Sequence, residues 1–282
     1  MRLSIQETSL GPQTSQDTWR LPKQAGLEGL NLCYSDKADI GALGNLDYPV
    51  QIEDMARQHE VAVSGMHLGH LSQVPFLTGE PNTREEGKPI VRRALEVAGR
   101  IGAPVVIVPL DGANGIRSPQ SQEAASAYLQ ELAEDAGAAG VAIAVEGPMS
   151  YEQVHDLLTS IDRRQVKFCY DTGDAAAARH DAIGMIRNLG ADRIAQVHFR
   201  DVNLSVQPPD FSVRLGRGDV RFDAVMFALR SVMYDGWVVL ATPPGDKDGQ
   251  IVALHVEDAR SILACGQGRE SSDGRAVEHA AS

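Results

Sequence analysis

The chain alternates short apolar runs with longer amphipathic segments. Residues 104–110 (PVVIVPL) are entirely apolar and mostly β-branched, and this run is too short for a typical helix. Such a run is typical of a strand that is buried on both faces of a parallel sheet. Comparable runs occur at 3–5, 26–33, 61–67, 141–146, 166–171, 194–202 and 237–240. The pattern therefore predicts eight strands.

The segments between these runs carry apolar residues at helical spacing. They predict helices over 48–59, 89–101, 121–138, 151–161, 181–189 and 251–264, a mixture of loop and helix over 11–23, and a long loop over 70–87. After a turn at 216–219, one face of a further helix is marked by Phe222, Val225, Met226, Leu229, Val232 and Met233.

Strands that alternate with helices imply parallel βαβ units. Eight such units in about 250 residues match a closed (β/α)8 TIM barrel. An open doubly wound sheet is the main rival, but a Gly-x-Gly-x-x-Gly motif does not follow the first strand, which disfavours a dinucleotide fold. We expect one barrel over 1–265 and, because 266–282 is polar, a disordered C-terminal tail.

Composition narrows the function classes. The 282 residues carry a net charge of -12, and an acidic surface disfavours nucleic acid as a partner. No apolar run is long enough to span a bilayer, so a membrane partner is not expected. The three cysteines Cys33, Cys169 and Cys265 are far apart, which favours reduced thiols in a cytoplasmic protein.

Chemistry-bearing residues recur at the ends of the predicted strands. In a TIM barrel the C-terminal strand ends meet at one mouth and carry the catalytic groups. The candidates there, in chain order, are His67, His70, Asp111, Glu146, Asp171, Asp174, His198, Arg200 and Asp201.

Three of these candidates predict a metal centre. Glu146, Asp171 and His198 would place unbalanced negative charge in one cleft, which a divalent cation would neutralise. Oxygen-rich ligation with one imidazole suits Mn²⁺, Mg²⁺ or Co²⁺. Each residue also has a simpler interpretation: 171–174 could be only a capped turn, and Arg200 could pair with Asp201. Because groups that can bind a metal recur at the same end of three successive strands, a shared site is favoured.

Short motifs also resemble a known family. Residues 145–148 (VEGP), 171–173 (DTG) and 197–202 (VHFRDV) resemble the xylose isomerase-like TIM-barrel superfamily, which includes sugar isomerases and epimerases, inosose dehydratases and the endonuclease IV type. Residues 198–202, 218–219 and 234–237 resemble mannonate dehydratase and its relatives. The order and spacing of the motifs are more specific for the superfamily than for a substrate.

The resemblance implies a ligand set with one gap. Glu146, Asp171 and His198 match three of the family's usual four metal ligands, and Mn²⁺ is the expected ion, with Mg²⁺, Co²⁺ or Zn²⁺ as alternatives. The fourth ligand is an acidic residue directly after the eighth strand, where this chain has Ala241. Another side chain could complete the site, the reaction could need only one strong base, or catalysis could be lost. The side chains considered for completion are Asp174, Asp201, His67 and His70.

The expected function is a divalent-metal-dependent isomerase or epimerase that abstracts a proton next to the carbonyl of a small polyhydroxylated substrate. Glu146 would bind the metal or take the proton, His67 would act as acid or contact substrate, and Arg200 would bind a substrate carboxylate or pair with Asp201. A sugar-acid dehydratase and a repurposed, non-catalytic barrel remain alternatives. An abasic-site endonuclease is disfavoured, because it needs a His-rich trinuclear site and a basic face. A homodimer is expected by analogy only.

Overall fold

The computed structural model of the chain describes residues 1–74, 76–77 and 81–265, without the side chains of 81–86. Residues 266–282, for which a disordered tail is predicted, lie outside the described residues. So do positions 75 and 78–80 of the predicted long loop.

Eight parallel strands close into one barrel in chain order, with β1 beside β8. The predicted TIM barrel is therefore confirmed, and the open doubly wound sheet is wrong. The strands are β1 (Arg2–Gln6), β2 (Gly29–Cys33), β3 (Ala62–His67), β4 (Val105–Pro109), β5 (Ala142–Glu146), β6 (Val166–Asp171), β7 (Ile194–Phe199) and β8 (Trp237–Leu240). The β6–β7 register places Asp171 opposite His198 at the C-terminal end.

Helices surround the strands. In the described part of the chain they are α1 (Ser15–Gln24), α2 (Lys37–Leu43), α3 (Tyr48–His59), α4 (Pro81–Ile101), α5 (Pro119–Ala139), α6 (Tyr151–Ile161), α7 (Thr172–Ala177), α8 (Ala182–Leu189), α9 (Phe222–Ser231) and α10 (Gln250–Ala264). Helix α6 shows why the sequence folds this way. Ser150 and Gln153 form a capping box at its start, and Val154, Leu157 and Ile161 bury one face.

Helices α5, α8 and α10 differ from their predicted bounds by one or two residues, and α4 and α9 differ for reasons that the structure shows. The predicted loop over 70–87 is wrong in its second half, because α4 already begins at Pro81 and continues through Pro89. Gly87 permits close packing there, since a Cβ atom would lie 2.9 Å from the Tyr128 hydroxyl oxygen and 3.0 Å from Phe76 Cβ. The predicted face of α9 ends early, because Met233 lies beyond the helix with a positive φ and is 85% exposed.

Two short helices were not predicted. Helix α2 begins with a capping box at Asp36, and α7 begins where 171–174 predicted only a capped turn. The Asp171 carboxylate does accept a hydrogen bond from Asp174 N, as in that turn, and the backbone then continues as a helix. Alanine at 175–177 favours this continuation, because alanine has the highest helix propensity.

The core has two layers. The larger layer lies between the strands and the helices, and a small cluster fills the inside of the barrel with Val105, Ile107, Ala144 and Cys169. The rest of the interior is partly polar: the hydroxyls of Ser4 and Ser64 lie 2.6 Å apart and are fully buried. Across the described ranges, none of the helices is long and apolar enough to cross a membrane.

Candidate active site

A cavity of about 550 Å³ opens at the C-terminal ends of the strands. Seven predicted candidates line it together: His67, Asp111, Glu146, Asp171, Asp174, His198 and Arg200. Ala241, which the resemblance places at the family's fourth ligand position, also lines the cavity. The lining residues that the sequence did not indicate are Gln6, Phe211, Ser212, Thr242, Pro243 and Pro244. The strand ends therefore converge on one cleft, as the barrel geometry requires.

Glu146 lies at the centre of this cavity between two imidazoles. Its Oε2 lies 2.8 Å from His67 Nε2, and its Oε1 lies 2.6 Å from His198 Nδ1. Burial alone would raise the pKa of Glu146, but the charges and hydrogen bonds of His198 and His67 hold it well below its usual value. The carboxylate is therefore ionised at neutral pH and close to two groups that can exchange protons.

The His67 imidazole responds to the same contact. Burial by itself lowers its pKa, but the negative charge of Glu146 and the hydrogen bond to it outweigh burial and raise the pKa above the ordinary 6.5. His67 therefore carries a proton over a wider pH range than an exposed histidine would.

Gln196, two residues earlier on β7 and therefore deeper in the barrel, fixes the orientation of His198. The Gln196 amide donates through Nε2 to the Ser64 carbonyl oxygen at 2.9 Å, so its Oε1 faces the other way. That oxygen accepts a hydrogen bond from Asn31 Nδ2 at 2.9 Å and lies 3.1 Å from His198 Nε2. All four residues are fully buried.

Asp171 and Asp174 form a second carboxylate group, which binds Arg200. Arg200 Nε lies 3.1 Å from Asp171 Oδ2, and Arg200 Nη2 contacts Asp174 Oδ1. The guanidinium also lies 4.4 Å from the ring centroid of Phe211. Burial and the charge of Asp171 raise the pKa of Asp174 well above its usual value, against the opposing charge of Arg200. Arg200 therefore neutralises negative charge that the sequence analysis assigned to a metal ion.

The remaining candidates have different positions. Asp111 lines the cavity, and its Oδ1 is buried with no hydrogen-bond partner among the described residues. His70 is buried but does not line the cavity. The interpretation that Arg200 pairs with Asp201 is wrong. The Asp201 carboxylate instead accepts hydrogen bonds from the backbone N–H groups of Val202, Gly218 and Val220, which fixes the loop after β7.

Two residues that line the cavity and a third inside the barrel carry donor atoms that fit a divalent cation. One donor atom from each of Glu146, Cys169 and His198 lies within 4.8 Å of the other two. Carboxylate, thiolate and imidazole groups all bind zinc. Ala241, at the family's fourth ligand position, lines the cavity and supplies no donor. Sequence reasoning missed Cys169 and Gln196, although each precedes a predicted site residue by two positions and so points to the same barrel face.

Solved structures with the same fold were found at low sequence identity. D-psicose 3-epimerase from Clostridium cellulolyticum H10, solved with D-tagatose, matches with a TM-score of 0.76 at 16% identity, over 94% of this chain and 100% of that chain. The IolI protein, solved with a bound zinc atom, matches with a TM-score of 0.76 at 16% identity, over 93% and 96% of the two chains.

A xylose isomerase-like TIM barrel/4-hydroxyphenylpyruvate dioxygenase fusion protein matches with a TM-score of 0.75 at 18% identity. The match covers 93% of this chain but 42% of the fusion protein. No curated protein matches the sequence. At these identities the likeness concerns the fold. The sequence profile described as xylose isomerase-like TIM barrel matches residues 19–265, and the chain therefore belongs to that family.

Proposed function

We propose that this protein is an isomerase or epimerase that acts on a small sugar or related polyhydroxy carbonyl compound by proton abstraction next to the carbonyl. The observation that carries the proposal is the buried Glu146 carboxylate, held between His67 and His198 on the floor of an open cavity. The resemblance of the fold to D-psicose 3-epimerase supports the substrate class.

Glu146 is the base in this proposal. It accepts the proton from the carbon beside the carbonyl, and the electron pair of that bond moves to the carbonyl oxygen, giving an enediolate. His67, protonated more readily because of Glu146, stands beside this carboxylate and donates a proton to the substrate oxygen. A proton then returns to carbon while an O–H proton of the enediol is lost and a carbonyl re-forms. Return to the opposite face of the same carbon gives the epimer, and return to the neighbouring carbon gives the isomer.

Arg200 has a supporting role. Because its guanidinium is engaged by Asp171 and Asp174, it offsets the negative charge of this carboxylate pair and leaves no free positive charge facing the substrate. This arrangement favours an uncharged polyhydroxylated substrate over one that carries a carboxylate.

A divalent ion is part of the proposal. Glu146 and His198 would hold it, and when bound it would polarise the substrate carbonyl and lower the pKa of the adjacent C–H. Asp171 is the third ligand that the sequence predicts. Its carboxylate forms an ion pair with Arg200 and accepts a hydrogen bond from the Asp174 backbone N–H. The zinc in the IolI structure supports metal binding by a protein of this fold.

Dehydration of a sugar acid is the second candidate, and Ala241 favours it. Epimerases of this type are understood to use two opposed carboxylates, whereas β-elimination of water needs one strong base. At the end of β8 the cavity wall has Ala241 and Thr242, which cannot return a proton as a carboxylic acid does. The resemblance to mannonate dehydratase stays a prediction, as does the homodimer.

Exchange of substrate hydrogen with solvent tests the proposal directly. The protein, supplied with Mn²⁺, Co²⁺ or Zn²⁺, is incubated in D₂O with a panel of ketoses, aldoses and sugar acids, and the C–H signals are followed by NMR. Deuterium incorporation beside the carbonyl of a neutral sugar, with an isomer or epimer as product, is the expected result. Loss of water from a sugar acid supports the dehydratase, and no exchange or product with any compound contradicts both.

A further inference from the structure

The protonation pattern of His198 can be derived from its neighbours. Since the Gln196 amide nitrogen donates to the Ser64 carbonyl, the oxygen that faces His198 can only accept. His198 Nε2 therefore carries a hydrogen and donates it to Gln196. In the neutral ring, Nδ1 is then left with a lone pair.

That lone pair faces a negative oxygen. His198 Nδ1 lies 2.6 Å from Glu146 Oε1, and the amide nitrogen of Gln6 approaches the same Nδ1 at 3.5 Å. Two atoms with lone pairs at this distance repel each other unless a proton or a metal cation lies between them. The hydrogen bonds at His198 Nε2 therefore leave a position for a proton or a metal cation between His198 Nδ1 and Glu146 Oε1.

Cys169 supplies a third donor to this position. Its Sγ lies 3.5 Å from Glu146 Oε1 and is fully buried inside the barrel. Around a tetrahedral zinc ion, sulfur and oxygen ligands lie about 3.6 Å apart, and oxygen and nitrogen ligands about 3.3 Å apart. The sulfur is therefore already at ligand spacing from Glu146 Oε1, whereas the Glu146–His198 pair must open.

Asp171 is less available than Cys169. Its carboxylate contacts Arg200 and accepts a hydrogen bond from the Asp174 backbone N–H. Turning it toward a metal would leave the buried Arg200 with Asp174 alone.

We infer that the divalent cation of this site is bound by Glu146 Oε1, His198 Nδ1 and Cys169 Sγ, with Gln196 as the residue that orients His198. The inference rests on the proposed function, for which it names the cofactor ligands. On binding, the Cys169 thiol loses its proton to solvent, because the thiolate is the ligand. The fourth coordination position would face the cavity, since Glu146 and His198 line it.

A thiolate ligand changes the preferred ion. Sulfur donors select zinc and cobalt over manganese and magnesium, which prefer oxygen. We therefore expect Zn²⁺ and Co²⁺ to bind more tightly than Mn²⁺, in contrast to the Mn²⁺ that the sequence predicts. Replacing Ala241 by Glu adds a hard oxygen donor and shifts this preference toward Mn²⁺.

Cobalt spectroscopy provides the test, since cobalt bound to a thiolate gives an intense charge-transfer band in the near ultraviolet. The full-length apoprotein is titrated with Co²⁺ alone. We expect the band in the wild-type protein, in Asp171→Asn and in the matched control Cys33→Ser, which removes another buried thiol outside the cluster. Cys169→Ser and Cys169→Ala should lack the band, and His198→Ala should bind no cobalt.

X-ray absorption of the zinc-loaded wild-type protein tests the same inference without a mutation. A sulfur neighbour at about 2.3 Å from zinc is expected. The inference is overturned if zinc has only nitrogen and oxygen neighbours, or if the cobalt complex lacks the charge-transfer band. It is also overturned if Asp171→Asn loses cobalt binding while Cys169→Ser binds cobalt fully. If the protein exchanges substrate hydrogen but its cobalt complex lacks the thiolate band, only the ligand assignment is contradicted. If the band is present but no sugar exchanges hydrogen, only the proposed function is contradicted.

Discussion

The cavity holds two buried carboxylate groups that differ in their partners. Glu146 contacts the imidazoles of His67 and His198, whereas Asp171 contacts the guanidinium of Arg200 and a backbone N–H. An imidazole gains and loses a proton near neutral pH, but a guanidinium does not. The difference teaches that similar strand ends have separate roles: one side of the cavity can move protons, and the other holds fixed charge.

The largest effect should follow from changing Glu146. Glu146→Gln keeps the shape of the side chain and removes the base, so we expect kcat for deuterium exchange to fall by about 10²–10⁴-fold. Asp171→Asn, the matched change on the fixed-charge side, should lower kcat much less. Equal losses in the two variants would mean that both carboxylates take part in proton transfer.

Arg200→Met should give the largest loss of stability. It leaves Asp171 and Asp174 buried without their cation, and we expect the free energy of unfolding to fall by about 3 kcal/mol, measured by urea denaturation. Arg221→Met is the control, because its pair with Asp223 lies on the exposed surface, and should change stability little. If both variants are equally stable, Arg200 does not neutralise the buried carboxylates.

The pKa of His67 should depend on Glu146. In Glu146→Gln the carboxylate charge is lost while burial remains, so the His67 pKa should fall below 6.5, as followed by NMR titration of the ring. His255, whose pKa is lowered by burial and which contacts the Pro243 carbonyl, serves as the unaffected reference.

The same contact gives stability a defined pH dependence. Because the folded pKa of His67 is raised, its contribution is fully present below about pH 6.5 and is lost as pH rises through the folded pKa. In Glu146→Gln this loss on the alkaline side should disappear. A wild-type protein whose unfolding free energy is flat over this range would contradict the shift.

The smallest effect is expected at Phe211. Phe211→Leu removes the ring that lies 4.4 Å from the Arg200 guanidinium, which should lower the free energy of unfolding by about 0.5–1 kcal/mol. Phe227→Leu is the control, since that ring is 57% exposed and lies 5.7 Å from Arg187. A drop as large as that of Arg200→Met would show that Phe211 supports more than this one contact.

Local patterns sufficed to predict the strands and their functional ends. The runs at Val166–Asp171 and Trp237–Leu240 have the bounds found in the structure, because a buried parallel strand is short and mainly apolar. Seven of nine candidate residues then meet in the cavity because barrel closure brings all C-terminal ends together.

Pairing between side chains could not be predicted in the same way. His67 and Glu146 are 79 positions apart, so their contact depends on the strand register and on the direction of each side chain. Arg200 lies next to Asp201 in sequence but turns to β6, while Asp201 turns to the backbone of its own loop. Proximity along the chain therefore indicated the wrong partner for Arg200. It also left the carboxylate charge of Asp171 apparently unbalanced, whereas Arg200 balances it.

The Asp201 carboxylate has a consequence for the loop that follows β7. It binds backbone groups at both ends of the loop that brings Phe211 and Ser212 to the cavity, and a Cβ atom at Gly218 would lie within 2.4 Å of it. The segment between those ends therefore lies between two fixed attachment points. Its sequence and length can therefore vary without disturbing these attachment points, provided that Asp201 and Gly218 are kept.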